Sequence, residues 1–175
     1  NWLQALAGTI TVDTKSIAEI DGRTLFDGIF EAKGPDSDIR LGGPLQKLIV
    51  NIETLVGPPA LPTGWTELIL NDPTSKIEEW DGAKYVSLET TLKRIGSRGT
   101  LEVLANGNYT TTNTLTVDTG GLIKLEAGTI TAGAIVLNGG QIRGHADIDA
   151  NMVNGGSVVV IGGTIDVNGS LTGTG

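Results

Sequence analysis

Apolar and polar positions follow three rhythms along this chain. Thr9-Ile10-Thr11-Val12-Asp13-Thr14 alternates, which is the period of a half-buried strand. Asp21-Gly22 and Asp27-Gly28 are turn dipeptides around Leu25, Phe26, Ile29 and Phe30, and residues 33–38 read as a loop. Pro44 to Val56 then predicts a helix. Pro suits the first helical turn, and Leu45, Leu48, Ile49, Ile52, Leu55 and Val56 fall on one stripe before Gly57-Pro58-Pro59 stops it. A helix this short is marginal alone, so the stripe must pack on a domain core or around an oligomer axis.

Trp65–Leu70 predicts a strand. Lys76–Trp80 and Ala83–Leu88 flank Asp81-Gly82, the strongest short-range signal for a hairpin, because a tight two-residue turn needs positive φ. Trp80 and Tyr85 would then meet across it. Ser87 is positioned to cap a helix carrying Leu88, Leu92 and Ile95, with Lys93 and Arg94 near its end and Gly96 or Gly99 as its stop.

From Leu101 the rhythm shortens. Apolar residues come in alternating pairs or singly, as in Leu101/Val103, Leu115/Val117, Ile123/Leu125, Ile135/Leu137, Val158/Val160 and Ile165/Val167. Gly-Gly or Asn-Gly breaks separate them at Gly120-Gly121, Asn138-Gly139-Gly140, Asn154-Gly155-Gly156, Gly162-Gly163 and Asn168-Gly169. Each Gly costs about 1 kcal/mol inside a helix, so such frequent breaks exclude helices. Very short strands need a winding architecture, in which each stacks on the strand one coil away. Three faces make a coil of roughly 18–20 residues, and about four coils fit the tract. The fold expected is mainly β: a small mixed α/β N-terminal region with a short helix, then a Gly-rich β-helix or an intertwined trimeric β-prism. A β-sandwich is the alternative.

Composition supports a division at this point. Residues 1–99 hold 10 of the 12 basic residues, all six Pro and six of the seven aromatic residues, whereas residues 100–175 hold 15 of the 26 Gly and one aromatic residue, Tyr109. Two parts are therefore expected: 1–99 as an attachment region with short helices and a hairpin, and 100–175 as a Gly-rich shaft. The second has little side-chain volume for a core of its own, which points to burial against identical neighbours.

Charge and candidate chemistry narrow the function classes. A net charge of −8 argues against gripping a phosphate backbone, so no nucleic-acid partner is expected. No apolar run reaches the roughly 18 residues of a membrane span. The absence of Cys excludes disulfides and thiolate chemistry, and a single His excludes a multi-histidine metal centre. No phosphate-loop motif is present, and no cofactor is implied. The acids of the Gly-rich tract are Asp118, Glu126, Asp147, Asp149 and Asp166. Asp147 and Asp149 would share a strand face, and glycoside cleavage uses paired carboxyls, yet only Tyr109 could serve as a sugar platform there. His145 beside Asp147 reads as a turn histidine. Ser157 and Ser170 lack a neighbouring base in sequence. No catalytic, cofactor or metal residue is assigned, and the chain is read as non-enzymatic.

The hairpin Glu79-Trp80-Asp81-Gly82-Ala83-Lys84-Tyr85-Val86 resembles the W-[DN]-G-x-x-[WY]-V hairpins of tailed-bacteriophage tail and fibre proteins. The Gly/Thr/Asn/Val-rich tract from Tyr109 to Gly175 is similar to the β-helical or β-prism shafts of phage tail fibres, tailspikes and head fibres. That resemblance implies a structural virion protein that attaches to tail or capsid proteins and carries host-recognition parts, with a host surface glycan as a further partner. The same texture resembles secreted or cell-surface β-helical adhesins of bacteria, the alternative reading. A glycan-cleaving tailspike fragment is the third. The chain is expected to form a homotrimer in which Leu45, Leu48, Ile49, Ile52, Leu55, Val158, Val160, Ile165 and Val167 make the oligomer contacts.

Overall fold

A computed structural model describes residues 9–12, 17–20, 28–41, 66–81, 83–105 and 107–175. The expected helix at Pro44–Val56, with its contacts Leu45, Leu48, Ile49, Ile52 and Leu55, lies outside them. The described chain is mainly β and winds as a β-solenoid of about four turns. The β-prism and the sandwich are not what forms. Successive coils of one chain pair in parallel, and β6 with β7 is the one antiparallel pair among the named strands.

The first two faces begin early. β1 (Thr9–Val12), β3 (Gly28–Ala32) and β5 (Thr66–Leu70) stack in parallel on one face. β2 (Ile17–Ile20), β4 (Asp38–Leu41) and β6 (Lys76–Trp80) do so on a second. β7 (Tyr85–Ser87) then folds back antiparallel on β6 as expected. Trp80 pairs with Tyr85, however, so four residues, 81–84, connect the strands where a two-residue turn was expected, and Leu88 belongs to the helix that follows. Asp81 Oδ1 accepts hydrogen bonds from the amides of Ala83 and Lys84 at 2.8 and 2.9 Å, which ties the turn to its first residue.

Ser87 does cap a helix, its Oγ accepting from Glu89 N at 3.2 Å, but α1 covers only Leu88–Thr91. The expected continuation to Ile95 is not found. Leu92 is extended, and β8 (Arg94–Ile95) pairs with Thr116 and Val117. Leu88, Leu92 and Ile95 are all buried, so the apolar spacing was a true core signal with the wrong period. The edge of β11 offers this segment backbone pairing, and β-branched Ile95 suits a strand.

The third face starts at β8, and the coils then close. β9 (Gly99–Val103), β10 (Asn108–Thr110) and β11 (Thr114–Asp118) form one three-sided turn. β12 (Leu122–Asn138) and β13 (Gln141–Asn154) each run round a full coil, bending at bulges rather than stopping. β14 (Ser157–Val167) and β15 (Leu171–Gly173) make the last. Leu122 pairs with Gln141, and Gln141 with Ser157, coils of 19 and 16 residues. The Gly-rich breaks become the corners.

Inside, like stacks on like. Phe30, Leu68, Leu101, Ile123 and Ile142 form one buried column, continued by Val158. Tyr109, Ile130 and Ile148 form another, continued by Val167. One apolar cluster runs from Phe30 to Met152. The compositional change near Gly99 falls within this stack, because β5 pairs with β9 over Thr66–Leu70 and Gly99–Val103. On the last coil Val158, Ile165 and Val167 pack partly against the cluster, while Val160 and Leu171 are 52% and 59% exposed.

Candidate functional site

Of the acids singled out in the Gly-rich tract, Asp118 is on β11 and Glu126 on β12, whereas Asp147 and Asp149 on β13 lie next to the strand that carries Asp166. Asp118 accepts hydrogen bonds from Arg94 and, at 3.1 Å, from Asn138 Nδ2. Partial burial opposes its ionisation, and these two donors outweigh that, so its carboxyl sits below the usual aspartate range. Glu126 lies 3.8 Å from Lys124 Nζ. Asp147 and Asp149 do share the outer face of β13. Asp147 stands in register with Thr129 and Asp166, and Asp149 accepts from Asn168 Nδ2 at 2.8 Å. No aromatic residue pairs with these positions in the register. His145 Nδ1 is 3.1 Å from the Ile161 carbonyl, and Gly162 and Gly163 lie against its ring. Ser157 Oγ accepts from Gln141 Nε2, and Ser170 Oγ donates to Asn151 Oδ1, so neither hydroxyl faces a base. Among the described residues no group of three or more His, Asp or Glu is placed to hold a metal ion. No helix among them is long and apolar enough to cross a membrane.

Sequence reading missed two clusters of carboxyls with a cation, one in the N-terminal coils and one spanning β5, β9 and β12. On the second face Arg40 Nε reaches Asp38 Oδ2 and Glu78 Oε2, both at 3.0 Å. Its guanidinium stands 5.1 Å from the centre of the Tyr85 ring, which meets Trp80 edge-on. Asp38 is buried, and burial together with Glu78 raises its pKa against the opposing pull of Arg40.

The first face holds the other cluster. Glu102 alternates with Leu101 and Val103 and so points out of the core, yet its side chain is only 5% exposed. Lys124 Nζ, one coil on, lies 2.6 Å from Glu102 Oε1. Glu67, one coil back on β5, stands diagonal to Glu102 on the same outer face. Burial first, and Glu102 second, push Glu67 up to about 7. Burial works against the charge on Lys124, and Glu102 outweighs it, so the ammonium is held above its ordinary value. Only the register makes these three neighbours, and no local spacing in the sequence signals them.

Comparison with protein-family models, with curated proteins and with solved structures finds no match.

Proposed function

We propose that this chain is a non-enzymatic structural component of a bacteriophage particle, a tail-fibre, tailspike-stem or head-fibre protein that works as a homotrimer. In this reading the N-terminal part attaches to tail or capsid proteins, and the solenoid is a stiff shaft that projects host-recognition parts. The observation that carries it is the use of the charged groups. Arg40, Arg94 and Lys124 each bond to a carboxylate on a neighbouring strand or coil, so the polar chemistry braces the stack. Val160 and Leu171, exposed on the last coil, are available to identical chains.

Sedimentation equilibrium of the whole chain at micromolar concentration tests this. The expected mass is three times the chain mass of 18.1 kDa, and Val160→Asp combined with Leu171→Asp should reduce it to that of one chain while circular dichroism stays β-rich. A folded monomer in the parent protein overturns the trimeric shaft.

A further inference from the structure

The seam between β5 and β9 is where the N-terminal coils meet the three-sided turns, and it carries an unusual charge arrangement. Glu67 stands beside Thr100 in the register, two positions from Glu102 on the same outer face, while Glu102 stands beside Lys124. Two carboxyls from adjacent coils thus lie on one outer face, and Glu102 is the one that reaches the ammonium. The remaining charged groups nearby do not balance the excess. On β3 Glu31 is diagonal to Glu67, and its Oε1 accepts from Asn71 Nδ2 at 2.9 Å. On β12 Glu126 lies 3.8 Å from Lys124, and on β13 Arg143 stands beside Lys124 in register, one coil further from Glu67. Glu67 is the one charged residue of β5.

We propose that Glu67, Glu102 and Lys124 form a proton-operated latch across the β5–β9 seam, closed when Glu67 carries a proton and loosened when it does not. The protonated carboxyl of Glu67 donates a hydrogen bond to Glu102, whose other bond is to Lys124. Loss of that proton replaces the donor with a second negative charge facing a carboxylate that is almost wholly out of water. The sign follows from the folded-state value of about 7 against the ordinary 4.5. The folded chain holds the proton over a pH range in which the unfolded chain has lost it. Stability from this site therefore rises as pH falls from above 7 towards 4.5 and is weakest on the alkaline side. The latch is a property of one chain and does not depend on the virion reading.

The test uses the whole chain at fixed ionic strength. Its melting temperature should rise by roughly 2–4 °C between pH 8 and pH 5.5. Amide exchange in β5 and β9, corrected for the intrinsic pH dependence of exchange, should be faster at pH 8, with β12 and β13 unchanged. Glu67→Gln keeps a hydrogen-bond donor towards Glu102 without a titrating group. It should melt at pH 8 at least as high as the parent and lose the slope between pH 5.5 and 8. Lys124→Arg should retain that slope. A parent slope that survives Glu67→Gln, or exchange at the seam that does not respond to pH, overturns the latch.

Discussion

Trp80 and Tyr85 stand directly opposite each other on β6 and β7, their ring centres 5.1 Å apart and their planes at 73°. Arg40 comes over the Tyr85 ring from β4 and bonds to Glu78, so these contacts join the hairpin to the coil before it, while the edge contact holds the two strands of the hairpin together. Trp80→Ala should cost about 0.5–1.5 kcal/mol from the lost aromatic pair, beyond the area it uncovers. Urea unfolding of parent and variant would read the difference, with near-ultraviolet circular dichroism reporting the pair itself. An unchanged midpoint would mean that the aromatic pair does not stabilise the hairpin.

Gly144 occupies an inward position between Leu125 and Val160, with φ +124°. A Cβ there would run into the Leu125 carbonyl oxygen and the rest of its backbone. Gly144→Ala is thus strained twice, by the backbone angle and by a neighbour that cannot move without breaking the coil. It should abolish soluble folded protein or lower the melting temperature far more than Gly162→Asn. Gly162 also has positive φ, but the atoms nearest to a Cβ there belong to the His145 ring, at 3.4 Å or more, and Asn tolerates the left-handed region.

Tyr109 is fully buried, and its hydroxyl donates to the Leu88 carbonyl at 3.3 Å. That bond fastens α1 over the column that Tyr109 begins. Burial, with Glu89 nearby, holds the phenol well above its ordinary pKa. Tyr109→Phe should cost about 1 kcal/mol, with exchange protection lost first in α1. Tyr109→Ala should cost several times more, on the order of 3–5 kcal/mol, by opening a cavity.

Asp118 gives a pH dependence of the opposite sign to Glu67. Its folded-state pKa is lowered, so its contribution is present above the ordinary aspartate value of 3.8 and disappears as pH falls below it. Melting should therefore decline below about pH 4, and Asp118→Asn should reduce that acid limb while lowering stability at pH 7. A variant with the parent's acid limb would show that other carboxylates control it.

Much of this fold was written locally. The hydrogen bonds accepted by Asp81, the Ser87 cap and the Gly-Gly corners are decisions of a few adjacent residues, made by side-chain acceptors and, at Gly120, Gly139 and Gly162, by positive φ. Alternating apolar pairs in the tract after Leu101 determined strands, and their spacing determined a winding chain. The tertiary structure decided what those local rules could not reach. Leu92 and Ile95 carry helical spacing, yet the edge offered by Val117 drew Ile95 into a strand. Strand pairing joins β5 to β9 across the compositional break at Gly99, because Leu68 and Leu101 stack in one column whatever the polar residues around them. Glu67, Glu102 and Lys124 become neighbours only when the coils are in register, and that register depends on the length of every turn between them. Parallel pairing joins residues one coil apart or more, so the contacts that carry the chemistry leave no trace in any short window of sequence.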